Sequence, residues 1–473
     1  MRNKVDPSAV VFVPPPTVPA AGVPTRSTIE ELTDDLVDDE GEQVYALSGQ
    51  FGSGKSIALR QVQEDPRVKG RFQVVAVNTL DGLPPLDVDI RMVLLLIAES
   101  VARALAGPLR AATERLSFGG PDEVLREWIK LLAGSDTPSQ PTNLADYAAK
   151  ISLQVAELNF KVKNDDARRA ELRSTAHSDV PALRRLTSAL TAVGQRAAKE
   201  LGFAGGLLVV MDDLDKFRDR SLFPLFERDI SRLSSVPCKL VVTIPYYLSF
   251  ESTFLTATAS FRRYKILNAK IVTAAEPKSV LDAGRAFFIT LYRQHADPAL
   301  FSDGPDLAAS PVFDQVVLLS AGIPREFFRV LHYAFDVCDY NGEAALTAEH
   351  VRAARVKFGQ ELIAASQRAS TRGSLKVVRI TKRLSNATEW TLLDSLQVVE
   401  YVNDRPWYSV HPALADWVGE QLVDDAASLG VWTRQNTAPT TGNETLAERM
   451  LRELKPEAID RLVQRGHEES QRS

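Results

Sequence analysis

One stretch decides the fold of this chain, and it reads Gly49-Gln50-Phe51-Gly52-Ser53-Gly54-Lys55-Ser56. It fits the pattern G-x-x-x-x-G-K-[ST] of a P-loop, in which backbone amides and a helix N-terminus direct partial positive charge at an anion. Residues 42–48 predict a short buried strand before it, and residues 57–62 predict a helix after it. The motif requires this strand–loop–helix context, so the sequence predicts a phosphate-binding loop at this point.

A second strong element is an apolar strand at residues 206–211 that ends in acids. Asp212 and Asp213 follow the apolar run directly, which is the Walker B pattern. A buried strand would bring Asp212 to a Mg²⁺ ion and place Asp213 to orient or deprotonate an attacking water. Asp215 and Lys216 belong either to the same edge of the sheet as these two acids or to a solvated turn.

The remaining apolar runs predict an α/β fold with a parallel sheet. Residues 72–78, 238–245 and 264–272 are β-rich and apolar, whereas residues 87–106 repeat apolar side chains at helical spacing. Strands that alternate with helices in this way are typical of a parallel sheet flanked by helices. Thr243 lies near the end of its run, where a γ-phosphate-sensing group would sit. A threonine that merely finishes a strand is the alternative.

Changes in composition divide the rest of the chain. Proline-rich sequence at the start argues against a helix or a central strand there. It predicts an extended arm that packs on the protein body or reaches a neighbouring subunit, with a disordered leader as the alternative. Helices followed by a β-hairpin around residues 403–406 indicate a winged-helix module. The expected segments are an N-terminal arm (1–28), a P-loop core (29–275) with a large helical insertion at about 107–201, an all-helical lid (276–368), a winged-helix-like domain (369–434), and a linker with a terminal helix (435–473).

Length and composition narrow the class of protein. A chain of 473 residues with 45% hydrophobic and 25% charged residues is globular and too long for a single core. No apolar run reaches the roughly 18 residues of a membrane span, and no apolar segment follows Met1 as in a signal peptide. Cys238 and Cys338 lie in apolar contexts typical of buried thiols. We therefore expect a cytoplasmic protein without a membrane partner.

The net charge of −5 conceals a basic stretch at residues 352–383, in which Glu361 is the single acid among many bases. Such a local excess indicates a nucleic-acid surface, a solvated surface or an interface with an acidic partner. Residues 390–423, in contrast, are acidic on balance. The bases of the stretch are Arg352, Arg355, Lys357, Arg368, Arg372, Lys376, Arg379, Lys382 and Arg383.

Taken together, these pieces resemble a P-loop ATPase of the AAA+/STAND group, particularly the initiator-like and bacterial members with a helical lid and a winged-helix module. The resemblance covers roughly residues 43–417, apart from the helical insertion. It rests on four segments in the family's order, at residues 49–56, 207–213, 240–243 and 322–325.

The resemblance implies ATP and Mg²⁺ as cofactors, with Gly49 to Ser56 around the phosphates. In the family pattern Lys55 contacts the β- and γ-phosphates, and Ser56 with Asp212 holds the metal ion. Asp213 stands where many members have glutamate, and its reach to a water is shorter. The resemblance further implies Thr243 as sensor 1, Arg325 as sensor 2, and Arg262 or Arg263 as an arginine finger supplied to a neighbouring subunit.

Two functions of different kinds follow from the resemblance. The first is an ATP-driven switch that forms homo-oligomers and controls a separate effector, with bacterial anti-phage defence as one setting. The second is an initiator- or transposition-type ATPase that binds duplex DNA through the winged helix. A small-molecule kinase and an ATP-binding scaffold without hydrolysis are further alternatives. The kinase alternative is weak, because such kinases rarely need this pair of carboxylates.

Overall fold

The computed structural model describes residues 27–79, 90–116, 145–146, 148–149, 152–153, 180–216, 225–366, 368–384, 387–403, 405–433 and 444–471. Nearly all of the predicted arm (1–28), most of the predicted insertion (107–201) and most of the predicted linker that starts at 435 lie outside these residues. The described chain divides into two compact units. The core unit comprises Thr28–Ser48 and Lys55–Lys265, and the C-terminal unit contains Gly49–Gly54 and Ile266–Ser473.

The core unit is built on a five-stranded sheet with the order β2-β3-β4-β1-β5. Parallel pairing joins β1 to β4, β4 to β3, and β3 to β2. Every residue of β1 and β4 is buried, which explains why their apolar residues follow one another directly rather than in alternation with polar ones. The strands are β1 (Val44–Gly49), β2 (Phe72–Asn78), β3 (Gly206–Asp212), β4 (Lys239–Thr243) and β5 (Arg262–Ile266).

Helices precede and follow these strands in the sequence of the core unit. The helix after β1 begins at Lys55, as the P-loop pattern requires, and the next one has Pro66 in its first turn with Asp65 as its N-cap. Short 3₁₀ turns follow β3 and β4, at Leu214–Lys216 and Tyr246–Phe250. The helices are α1 (Thr28–Asp38), α2 (Lys55–Glu64), α3 (Pro66–Arg71), α4 (Ile90–Ala106), α5 (Arg110–Thr113), α6 (Val180–Glu200) and α7 (Ser252–Ala257).

The fifth strand differs from the prediction for residues 264–272. It begins earlier, at Arg262, and ends at Ile266. Beyond that point the backbone leaves the sheet, and the amide of Ala269 donates instead to the carbonyl of Gly322, at 2.8 Å. Ile271 is fully buried without being in a strand. Burial therefore accounts for the apolar run, and the sequence pattern by itself does not distinguish it from a strand.

The first half of the C-terminal unit is helical over most of the segment predicted as an all-helical lid (276–368). Its core contains a cluster of aromatic rings, with the Phe288 and Phe327 centroids 4.7 Å apart and those of Tyr292 and Phe313 6.0 Å apart. Gly322 separates two helices, and Pro324 begins the second one. The helices are α8 (Asp282–Arg293), α9 (Pro311–Leu319), α10 (Pro324–Asn341) and α11 (Ala348–Ala365).

The second half of the C-terminal unit has the predicted helices and β-hairpin of a winged-helix module. The strands β6 (Val398–Val402) and β7 (Pro406–Val410) pair in antiparallel fashion, with the Tyr401 and Trp407 rings stacked at 4.7 Å. The helices are α12 (Ala369–Thr381), α13 (Ala387–Asp394), α14 (Ala415–Ser428), α15 (Leu446–Glu453) and α16 (Pro456–Ser470). The architecture is therefore an α/β P-loop fold with an all-helical region and a winged-helix module.

The terminal helix α16 packs directly on α12. A Cβ atom added at Gly373 would lie 2.4 Å from the carbonyl oxygen of Gly466, so the two backbones approach closely at this crossing. The Lys376 ammonium is buried nearby, 2.6 Å from a carboxylate oxygen of Asp425 and 2.8 Å from one of Glu469. The predicted terminal helix thus packs on the first helix of the segment predicted as winged-helix-like (369–434), and the domain bounds stay a prediction. Among the described residues, no helix has the length and apolarity needed to cross a membrane.

Candidate nucleotide-binding site

Three aspartates meet at the carboxyl end of β3 in the core unit. Asp212 ends the strand, Asp213 follows it, and Asp215 lies in the 3₁₀ turn, with one carboxylate oxygen of each within 4.8 Å of the others. The carboxyl ends of parallel strands are where α/β folds place their ligands. Carboxylate oxygens are also the ligands that Mg²⁺ prefers. The chemistry of this cluster fits a magnesium ion, as the sequence predicts for Asp212.

The first turn of α2 brings the lysine and serine of the P-loop to this cluster. The Lys55 ammonium is 2.9 Å from a carboxylate oxygen of Asp215, and each side chain is only 7% exposed. Ser56 forms a side-chain hydrogen bond with Asp212. Burial and the negative charge of Asp213 raise the pKa of Asp212, while the Ser56 hydrogen bond lowers it. Asp215, which the sequence left between two interpretations, is therefore the ion-pair partner of Lys55.

Two further features of this region are the backbone conformation of Asp213 and the contact that Thr243 makes with Leu214. Asp213 has a left-handed backbone, with φ of +68°, and one of its carboxylate oxygens lies 2.6 Å from the Lys216 ammonium. A non-glycine residue in this region is strained, which is common at functional sites. Thr243 ends β4, is fully buried, and its hydroxyl accepts a hydrogen bond of 3.1 Å from the amide of Leu214. The threonine hydroxyl thus holds the start of the turn that follows Asp213 and contains Asp215.

The preceding residues of the P-loop, Gly49–Gly54, belong to the C-terminal unit. Gly52 and Gly54 have positive φ angles of +84° and +102°, which side chains disfavour and which let a backbone wrap around a phosphate. The amide of Ser53 donates to the carbonyl of Gln50 at 3.1 Å, which closes the turn. This loop geometry fits a bound phosphate group.

Arg325 lies against the P-loop within the C-terminal unit. Its guanidinium carbon is 4.1 Å from the centroid of the Phe51 ring, a cation–π stack. A Cβ atom added at Gly52 would lie 2.7 Å from the Cβ atom of Arg325, so this position requires glycine. The sequence predicted Arg325 in the first turn of a helix, and the structure places it there, as the second residue of α10.

The two candidate finger arginines lie at the start of β5. Arg262 forms ion pairs within the core unit, at 2.8 Å with Asp35 and 2.7 Å with Asp39. Arg263 is exposed and donates to the carbonyl of Leu255 at 3.4 Å. Their assignment as fingers stays a prediction. Arg262 is held by two carboxylates of its own unit, whereas Arg263 contacts a backbone carbonyl.

Several bases of the stretch at residues 352–383 pair with acids that are distant in sequence, whereas Arg368 and Arg383 are exposed. Arg355 pairs with Asp416 at 2.7 Å, and Arg379 pairs with Glu448 at 3.3 Å. The buried Lys376 has the two carboxylate partners described above. The local charge excess in the sequence therefore overstates the positive charge that this part of the fold offers to nucleic acid.

Comparison with known proteins gives similarity of fold only. The sequence matches no family model, and no curated protein matches it. Among solved structures, the chain is similar to the Aeropyrum pernix ORC1 protein in complex with DNA, with a TM-score of 0.35, 14% identity, and 85% of this chain and 93% of that chain covered. It is also similar to Cdc6p from Pyrobaculum aerophilum, with a TM-score of 0.33, 14% identity, and 94% and 97% of the two chains covered.

Proposed function

We propose that this protein is an ATP-binding and ATP-hydrolysing switch of the AAA+/STAND group. The observation that carries this proposal is the polar cluster of the core unit, in which the buried Lys55 pairs with the buried Asp215 and the exposed Ser56 bonds to Asp212 beside Asp213. Lys55 would contact the β- and γ-phosphates, and Ser56 with Asp212 would hold Mg²⁺. Bound Mg²⁺ neutralises charge on the phosphates and lowers the barrier to their transfer.

Asp213 is the candidate group that orients or deprotonates the attacking water. Its side chain is 12% exposed and paired with Lys216, so it is held in one position rather than free in solvent. An aspartate reaches less far than the glutamate that is common at this position. The left-handed backbone at Asp213 sets this residue apart from the strand that precedes it.

The sensing and finger roles complete the proposed cycle. Thr243 would act through the acid loop that its hydroxyl supports, and Arg325 would act through the P-loop on which it stacks. An arginine at the start of β5, Arg262 or Arg263, would serve the nucleotide of a neighbouring subunit. Hydrolysis would then require a homo-oligomer, and the nucleotide state would change its contacts.

The output of the switch would be control of a separate effector protein. The sequence has no nuclease, protease or deaminase signature, so any destructive chemistry would belong to that partner. Anti-phage defence is the setting that the resemblance implies, and it rests on analogy. Binding of duplex DNA by the winged-helix module is the second candidate. The exposed bases Arg368, Arg383 and Arg405 favour it, whereas the acid-paired bases Arg355 and Arg379 oppose it.

The test is ATP turnover by the wild type, Lys55→Ala and Asp213→Asn over a range of protein concentrations. Loss of the lysine should abolish nucleotide binding, and loss of the carboxylate should lower turnover by about 100-fold or more while ATP still binds. Lys69→Ala removes an exposed lysine of α3 and should turn over ATP like the wild type. Turnover that rises faster than linearly with protein concentration would support a neighbour's arginine.

The remaining outcomes separate the alternatives. Equal turnover by Asp213→Asn and the wild type would refute the assignment of Asp213. ATP binding without turnover in the wild type would leave a nucleotide-gated scaffold. Stimulation of turnover by duplex DNA, with an affinity that falls steeply as salt rises, would establish the DNA-handling function.

A further inference from the structure

The side chain of Gln50, the second residue of the P-loop, is almost completely buried, with 1% of the residue exposed. Its Nε2 group donates hydrogen bonds of 3.0 Å to the carbonyls of Leu393 and Val398. Its Oε1 atom accepts from the Asn268 side chain at 2.5 Å and from the amide of Glu400 at 3.1 Å. A carboxamide offers two donor hydrogens and two acceptor lone pairs, so all of its capacity is used within the C-terminal unit.

Three of these four partners belong to the winged-helix module. Leu393 lies in the last turn of α13, and Val398 and Glu400 lie on β6. Asn268 completes the contact, because its side-chain amide also donates to the carbonyl of Glu400 at 3.2 Å. The backbone amide and carbonyl of Glu400 thus bond to the side chains of Gln50 and Asn268, respectively. These bonds lie at the edge of β6 that does not pair with β7. The two side chains therefore take hydrogen-bonding positions on β6 that the backbone of a third strand would otherwise occupy.

A second contact holds the same segment of the loop. The next residue, Phe51, carries the guanidinium of Arg325 on its ring, and the carbonyl of Gly52 accepts from the amide of Arg325 at 3.4 Å. The loop is therefore held by α10 on one side and by the winged-helix hairpin on the other. A fully hydrogen-bonded buried amide specifies one arrangement, because any shift leaves buried polar groups unpaired.

We propose that Gln50 is a positioning residue that couples the phosphate-binding loop to the winged-helix hairpin. This inference rests on the proposed function, because it assumes that the loop binds nucleotide. A ligand that fixes the loop then stabilises the docked hairpin, and by reciprocity the docked hairpin raises the affinity for nucleotide. The winged-helix module thereby responds to the nucleotide state through the direct contact between Gln50 and the hairpin, without an intervening element.

The test combines nucleotide affinity with hydrogen–deuterium exchange of the peptide that covers Val398–Val402. The probe is Mg²⁺ with a slowly hydrolysed ATP analogue, and the protein is the full chain. In the wild type, the nucleotide should slow exchange in this peptide. Gln50→Met keeps the side-chain length but removes every hydrogen bond, so it should weaken nucleotide binding by about tenfold and abolish the response of the hairpin at saturating nucleotide. kcat should change far less than KM.

Two further variants make the result decisive. Asn268→Ala lies outside the P-loop motif, so a merely structural role would leave nucleotide affinity unchanged, whereas coupling predicts weaker binding in this variant too. If Gln50→Met fails to fold, Asn268→Ala by itself still tests the coupling. Gln360→Met replaces an exposed glutamine of α11 and should match the wild type in both measurements.

The coupling and the proposed function fail in different ways. Normal nucleotide affinity of Asn268→Ala, or a hairpin response in Gln50→Met equal to that of the wild type, would overturn the coupling while leaving the ATPase proposal intact. A wild type that binds nucleotide with no change in exchange over Val398–Val402 would do the same. A wild type that binds no nucleotide would instead overturn the proposed function.

Discussion

Replacing Asp215 by asparagine should destabilise the nucleotide-free core unit and at the same time tighten nucleotide binding. The Lys55 ammonium and the Asp215 carboxylate are 2.9 Å apart and each 7% exposed. Removing one partner of a buried ion pair costs about 3–5 kcal/mol, because the other charge is left uncompensated. The carboxylates of Asp212 and Asp213 stay near the lysine, so we expect about 3 kcal/mol, the lower end of that range.

Nucleotide should reverse much of this loss. Phosphate oxygens give the Lys55 ammonium a new anionic partner, and in the wild type they compete for it with the Asp215 carboxylate. Asp215→Asn removes that competitor and a negative charge beside the phosphates. We therefore expect about tenfold tighter binding of Mg²⁺ with a slowly hydrolysed ATP analogue, which corresponds to about 1.4 kcal/mol. Urea unfolding with and without the analogue, together with its Kd, measures both effects.

Two controls make this prediction specific. The double variant Lys55→Met with Asp215→Asn should recover part of the lost stability, because the buried Lys55 ammonium is removed together with its closest partner. Glu114→Gln breaks an exposed pair with Arg110, whose side chains are 49% and 41% exposed, and should cost less than about 1 kcal/mol. Weaker nucleotide binding by Asp215→Asn would refute the reasoning, since Asp215 would then support the bound state rather than compete with it.

The remaining predictions concern the C-terminal unit. Burial raises the pKa of Glu400 from 4.5 to about 8, so the folded protein holds this proton more tightly than the unfolded chain does. The free energy of unfolding should therefore fall as the pH rises between those two values, by an amount on the order of 5 kcal/mol, and Glu400→Gln should flatten the profile in urea titrations; parallel profiles would contradict this. Gly373→Ala should force α16 away from α12 and cost about 1–3 kcal/mol, with faster deuterium exchange in α16, whereas unchanged exchange would show that the crossing tolerates a methyl group.

Patterns that are local in sequence were sufficient to predict the framework of this protein. The P-loop motif, the apolar strand that ends in Asp212 and Asp213, and the hairpin in the winged-helix module were each found from a few adjacent residues. Their spacing encodes the structure directly, because turn glycines, strand burial and helix starts depend on neighbours along the chain. The position of Arg325 in the first turn of its helix followed from Gly322 and Pro324 in the same way.

Tertiary structure decided which residues meet. The pairing of Lys55 with Asp215, the bonds from Gln50 to β6 and the carboxylate partners of Lys376 each join residues far apart in the chain. No periodicity or motif encodes such pairs, because they arise only when burial leaves a charge or an amide in need of a partner. The end of the fifth strand at Ile266 was decided similarly, since the backbone beyond it finds its hydrogen bonds at Gly322. The sequence by itself thus determined where the candidate phosphate-binding loop lies, and the folded chain determined which side chains hold that loop and the acids of β3 in place.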